Sequence, residues 1–214
     1  MTISQPRHEP PATVAVAGIV LAGGRATRFG RDKLAEPLRD MPLLHHALLS
    51  LAPAVDELVL VIRPHGAPPR LPAADLLATP VRLVRDPEPY GGPLIALAAA
   101  LATISQRVAL FVAGDMPALR PDVLSAMVRA LDDQGADVVL LAGPGPVQTI
   151  PAALRVATAG PAAEAALGDG SRALRALYDR LRVCVLPEVE WRVLDPEAAT
   201  LRDVDTPADL ERER

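Results

Sequence analysis

The chain has 214 residues, half of them hydrophobic, with 22 basic and 26 acidic side chains for a net charge of −4. That length supports one sizeable core without staples, and a charge balance with no long block of one sign excludes a general nucleic-acid binder, which needs a basic face. A single cysteine, Cys184, excludes an intramolecular disulfide and, inside the apolar run RVCVLP, reads as a core residue in a reducing compartment.

Residues 1–13, MTISQPRHEPPAT, have neither a cationic n-region nor an apolar h-region and read as a disordered tail, leaving residues 14–214 as one domain. Apolar runs predict strands over 14–21, 57–63, 81–84, 108–113, 136–142 and 182–186, and helical patterning predicts helices over 43–51, 93–104 and 121–133. Pro121 suits a first helical turn and Gly135 a helix end. The stretch RPHGAPPRLP reads as a surface loop, and 143–170, rich in Gly, Pro and Ala, gives no clear period. In DTPADL, Thr206 is placed as N-cap, Pro207 at the first helical position and Asp209 three residues after the cap. Strands that are apolar throughout, such as VAVAGIVLA, suit a parallel sheet covered on both faces. The predicted fold is therefore a three-layer α/β/α sandwich with a mostly parallel, Rossmann-like sheet. The longest apolar helical run, 93–104, falls well short of the roughly 20 residues of a membrane span. The expected location is the cytoplasm, with no membrane partner.

In an open α/β sheet, ligands bind beyond the carboxyl ends of the strands. That edge receives AGGRATRFGRDK after the first strand, RDPEPYGGPL after the third and AGDMP after the fourth. In the first loop, Gly23 and Gly24 let backbone N–H groups approach a ligand, while Arg25, Arg28, Arg31 and Lys33 bring positive charge. Taken alone the loop is either a phosphate cradle or a basic surface turn, and it is neither a Rossmann nor a Walker motif. Asp115, delivered by a buried strand just before Met116 and Pro117, is either a Mg²⁺ ligand or the cap of a turn. Asp86 precedes Gly91, Gly92 and the start of a helix, so that loop either meets a nucleotide or simply connects. Asp203 and Asp205 stand ahead of the last helix, where either one supplies a second metal carboxylate or favours the helix start. His45 and His46 adjoin on a helix without metal-site spacing and read as structural. No Ser/His/Asp order, CxxC pair or HExxH is present, so covalent catalysis has no candidate.

The set LAGGRATRFGRDK, DPEPYGGPL, GDMP and DVDTPADL, in that order over residues 16–211, resembles the molybdenum cofactor guanylyltransferases of the nucleotidyltransferase superfamily. The resemblance implies a nucleotidyltransferase domain that transfers GMP from GTP to the terminal phosphate of molybdopterin with release of pyrophosphate. It implies Mg²⁺ as cofactor and a molybdoenzyme or chaperone that receives the product. By the same resemblance Leu21, Ala22, Gly23 and Gly24, with Arg25 and Gly92, line the nucleotide. Lys33 and Arg28 meet phosphate, Asp86 contacts the nucleotide, and Asp115 binds nucleotide and Mg²⁺; Asp205, from its place ahead of the last helix, is the expected second metal ligand. Lys33, Arg28 and Asp115 form the catalytic set. The chain departs from the family at Ala26 and Phe29, and has Ile62 and Arg63 where many members carry N-A-N-R after the second strand. DVDTP is closer to related cytidylyltransferases, whereas LAGG and GGPL lean toward guanine. A CTP-using relative and a catalytically weak nucleotide-binding or cofactor-delivery module are the alternatives. Acceptor contacts are expected around GPVQTIPAALR.

Overall fold

A computed structural model describes residues 14–23, 29 and 32–213. The expectations for the 1–13 tail and for Gly24, Arg25, Arg28 and Arg31 lie outside the described residues. The chain opens with β1 (Val16–Leu21), a short hairpin of β2 (Pro37–Leu38) and β3 (Met41–Pro42), then α1 (Leu43–Leu51), β4 (Glu57–Ile62) and β5 (Val81–Arg85). It continues through α2 (Pro93–Leu101), β6 (Val108–Ala113), α3 (Pro121–Asp133), β7 (Val138–Leu141), β8 (Ala152–Arg155) and α4 (Val156–Gly168). The last elements are α5 (Leu174–Tyr178), β9 (Val183–Leu186), α6 (Glu188–Trp191) and α7 (Pro207–Arg212).

Seven strands form one sheet in the order β5-β4-β1-β6-β8-β7-β9. Only β8 runs against the rest, pairing antiparallel with both β6 and β7. Period-two alternation sends the apolar side chains to two faces. On one face Val20, Leu60, Leu110 and Val139 meet Leu44 and Leu48 of α1, Leu124 and Met127 of α3, and Trp191. On the other, Ile19, Val59, Phe111 and Leu140 meet Leu94 and Leu97 of α2, Ala163 of α4 and Leu177 of α5. The three-layer α/β/α sandwich follows directly. Alanines on α2 and α4 let these two helices approach each other closely over that face, which is why so few aromatics suffice.

Two expectations change. Segment 143–170, which gave no period, contains β8 and α4, and the predicted acceptor stretch splits: Ala152, Ala153 and Leu154 are buried core of β8, while 143–149 lies on the carboxyl edge beyond β7. Other expectations hold closely. The α7 capping box is present, with Thr206 accepting from the Asp209 N–H and Asp209 from the Thr206 N–H. His45 and His46 each donate through Nε2 to a backbone carbonyl, of Arg70 and Leu38, both at 2.8 Å. Cys184 is half-buried against the core; burial, then the charge of Glu190, raise its thiol pKa and keep it protonated and unreactive. Among the described residues no helix is long and apolar enough to cross a membrane.

Candidate active site

Because β5, β4, β1 and β6 are parallel neighbours, their carboxyl ends deliver four side chains or loops in a row: Asp86, Arg63, Gly23 and Asp115. Three strand spacings, about 14 Å, separate the first from the last. Backbone bonds fix this edge, with Ala22 N–H donating to the Val61 carbonyl at 2.8 Å and Gly114 N–H to the Leu21 carbonyl at 2.9 Å. A cavity of about 360 Å³ runs along it, walled by Leu21, Gly23, Lys33, Asp86, Gly92 and Asp115, with Arg63 and Tyr90 also exposed to it. The first six are those expected there from the sequence. It gave no role to Tyr90, whose position directly before two glycines in a post-strand loop was the available signal.

One end of the cavity is strongly charged. Lys33 sits on a single 3₁₀ turn, Lys33–Ala35, whose start is capped by the Asp32 side chain accepting from the Leu34 N–H. Its ammonium lies 2.5 Å from Asp115 Oδ2 and 3.1 Å from Asp205 Oδ1, and donates to the Val204 carbonyl at 3.1 Å. A small apolar cluster of Leu38, Leu43, Val204 and Leu210, with Phe29 and Leu34 against it, holds this turn and α7 together. The last loop is tied to the site directly, since Val204 N–H donates to the Asp115 carbonyl at 2.9 Å. Burial pulls the Lys33 pKa down, yet the charge of Asp115 and hydrogen bonds to Asp115 and Asp205 leave it raised. Asp203 is raised as well, by burial first and then by the charges of Asp205 and Asp115. Lys33 thus meets two carboxylates directly and lies within electrostatic reach of a third, Asp203, an arrangement of high charge density at a strand end.

Asp115 Oδ1 is buried with no hydrogen-bond partner among the described residues. A buried carboxylate oxygen left unpaired is costly unless something cationic meets it. The all-oxygen donor set suits Mg²⁺, and the orphaned oxygen is where one coordinate bond would form. Among the described residues no three carboxylate, His or Cys side chains make a preformed metal cage. Mg²⁺ does not need one, because it takes one or two carboxylates and completes its shell from water and substrate phosphates.

The other end of the cavity is milder. Asp86 accepts the Glu88 N–H at 3.1 Å, and burial raises its pKa despite that bond. Gly92 has φ +100°, and a Cβ there would lie 2.9 Å from the Arg172 carbonyl oxygen. The start of α2 is not free to present all its donors to a ligand, because Leu94 N–H already points to that same carbonyl at 3.4 Å. Gly92→Ala combines a disfavoured dihedral with this clash. It should cost about 1–3 kcal/mol, a fall in Tm of roughly 2–12 °C by scanning calorimetry; an unchanged Tm would mean that the 86–92 loop relaxes freely.

The MobA-like NTP transferase domain matches residues 18–185. The chain is 31% identical over 214 residues to the "Probable molybdenum cofactor guanylyltransferase" of Chloroflexus aggregans, covering 94% of each protein. It is 34% identical over 193 residues to the molybdenum cofactor guanylyltransferase of Burkholderia cenocepacia, covering 85% of this chain and 89% of that one. In fold it resembles the crystal structure of molybdopterin-guanine dinucleotide biosynthesis protein A from Archaeoglobus fulgidus, with a TM-score of 0.73 at 22% identity over 92% of this chain and 96% of that one. With the family's domain covering most of the sheet and the loops that carry Lys33, Asp86 and Asp115, the chain belongs to the MobA-like NTP transferase domain family.

Proposed function

We propose that this chain transfers the GMP unit of GTP to the terminal phosphate of molybdopterin and releases pyrophosphate, with Mg²⁺ as cofactor. The observation that carries this reading is the pairing of Lys33 with Asp115 at one end of a cavity whose other end holds Asp86 and Gly92, with Asp205 on the same ammonium just outside it. The names of the two relatives, each covered along most of its length, support the choice of substrates.

The chemistry asks little of a general base. The acceptor phosphate is already an anion, and one of its oxygens forms the new bond to the α-phosphorus of GTP while the bond from that phosphorus to the bridging oxygen breaks and pyrophosphate leaves. The obstacle is repulsion between two polyanions. Lys33 offers its ammonium to phosphate oxygens, exchanging part of its contact with Asp115 and Asp205 for theirs, and holds the reacting groups in line. Asp115, with Asp205 beside it, would hold Mg²⁺, which supplies charge neutralisation on the phosphate oxygens and the leaving group. Gly23 carries the backbone past the nucleotide beside Arg63 and Asp86; a Cβ there would make ordinary contacts, 3.7 Å from the Arg63 nitrogen and 4.0 Å from the Asp86 carboxylate. Gly24, Arg25 and Arg28 complete the phosphate cradle in this proposal. The acceptor enters from the 143–149 side of the edge, next to β6. A molybdoenzyme or its chaperone receives the product, in the cytoplasm.

Turnover with GTP, CTP and ATP, each with and without Mg²⁺, tests the reading. Dinucleotide product and pyrophosphate should appear with GTP and Mg²⁺ together. Product from CTP instead would move the chain to the cytidylyl branch; nucleotide binding with no product from any of them would make it a binding module.

A further inference from the structure

We propose that Arg63 reads the O6 and N7 edge of the guanine base and thereby sets the nucleotide preference of this chain. The inference rests on the guanylyl-transfer reading and names the residue behind its specificity. The strand order decides where along the cavity each part of a nucleotide lies. Lys33 and Asp115 mark the phosphate end beside β1 and β6, so the nucleoside extends toward β4 and β5, whose ends carry Arg63 and Asp86. The two are therefore neighbours, about one strand spacing apart in the backbone, at the base end.

Their chemistry is complementary to one base. An ionised carboxylate only accepts and a guanidinium only donates. Guanine presents donors at N1 and N2 on one edge and acceptors at O6 and N7 on the next, and the bidentate arginine contact to O6 and N7 is a common specific readout of guanine. Adenine carries an amino group where guanine has O6, so against Arg63 two donors would face each other and go unpaired. Cytosine has no O6–N7 edge at all.

Arg63 is held for this task. The Arg85 guanidinium donates to the carbonyls of Arg63 and Pro64, both at 3.1 Å, and to that of Gly66 at 3.3 Å, which staples the loop after β4. The Arg63 side chain is 42% exposed and pairs with Asp32 Oδ2 at 3.5 Å. Among the described residues no other side chain pairs with it, and one long contact leaves most of the planar fork's five donors available. Asp32 orients the fork from the side of the Lys33 turn.

The test compares base analogues against Arg63 variants by equilibrium binding with Mg²⁺. Wild type should bind GTP more tightly than 7-deaza-GTP, which lacks N7, and far more tightly than ATP. Arg63→Ala should weaken GTP roughly 5- to 150-fold, the range of one bidentate pair, while its GTP to 7-deaza-GTP ratio collapses toward one. Arg63→Lys should recover part of the affinity. A merely structural Arg63 would weaken every nucleotide alike and leave the analogue ratio intact, which overturns the assignment. Equal binding of GTP and 7-deaza-GTP by wild type overturns it too, without any variant. A wild-type preference for CTP is a separate outcome that removes the guanylyl reading and the Arg63 assignment with it.

Discussion

Asp115→Asn should reduce turnover by roughly 10³-fold or more while the protein stays folded. The charge on Asp115 is what a divalent cation would use, and several kcal/mol of transition-state charge stabilisation go with it. The amide matches the carboxylate in shape, so the strand end need not move. Oδ1 has no hydrogen bond to lose among the described residues, and an amide oxygen can still accept from Lys33, which now lies 2.5 Å from Oδ2. A loss of turnover with a Tm within a few degrees of wild type is therefore the expected pair of results. Near-wild-type turnover at saturating Mg²⁺ would show that the metal is held elsewhere on the edge. A collapse in Tm would instead mean that the Lys33–Asp115 pair is chiefly structural.

The parts of this molecule that were legible in the sequence are those where local pattern and tertiary role agree. In β6 every residue from Val108 to Val112 is buried, and a continuous apolar run says so. The same holds for α1 and α3, whose predicted bounds match the observed ones, and for the Thr206 capping box, which is written in four consecutive residues. β8 was hidden because alanine carries no strand preference: Ala152 and Ala153 are in the sheet only because β6 and β7 pair with them on either side. α4 was hidden by Gly160 and Pro161, residues that ordinarily interrupt a helix, and its stability comes from burying Ala159, Ala163 and Ala166 in the core it shares with α2 and α5.

The site divides along the same line. Gly23, Lys33, Asp86 and Asp115 were visible as motifs following strands, and the edge rule gathered them. The contact of Lys33 with Asp205 joins residues 172 positions apart, and nothing local in either segment announces it. Arg63 stood out in the sequence only as a departure from a family pattern. Its opportunity at the base end becomes visible once β4 is seen to lie between β5 and β1. Motif reading thus finds the charged end of such a cavity, which is common to the chemistry, more readily than the base end, which distinguishes one enzyme from another.

Lys33→Met should lower kcat/KM by roughly 10²–10³-fold, the scale of losing one preorganised charge partner, and should also alter how stability depends on pH. With its pKa raised, Lys33 contributes its full stabilisation below about pH 10.4 and loses it only as the pH climbs through the raised value. Across pH 4–8 its removal is therefore felt completely. What it leaves behind is Asp205, Asp115 and Asp203 within electrostatic reach of one another. Asp203 binds a proton more tightly in the folded protein than in the unfolded chain, so it costs stability as pH rises from about 4 through its folded-state pKa. Lys33 opposes that shift, and without it the shift grows. Urea unfolding at pH 5 and pH 8 should accordingly show the variant losing more stability than wild type over this interval, and Asp205→Asn in the same background should restore part of it. If variant and wild type follow the same pH profile, the three carboxylates are screened well enough without the lysine, and its role is confined to holding phosphate.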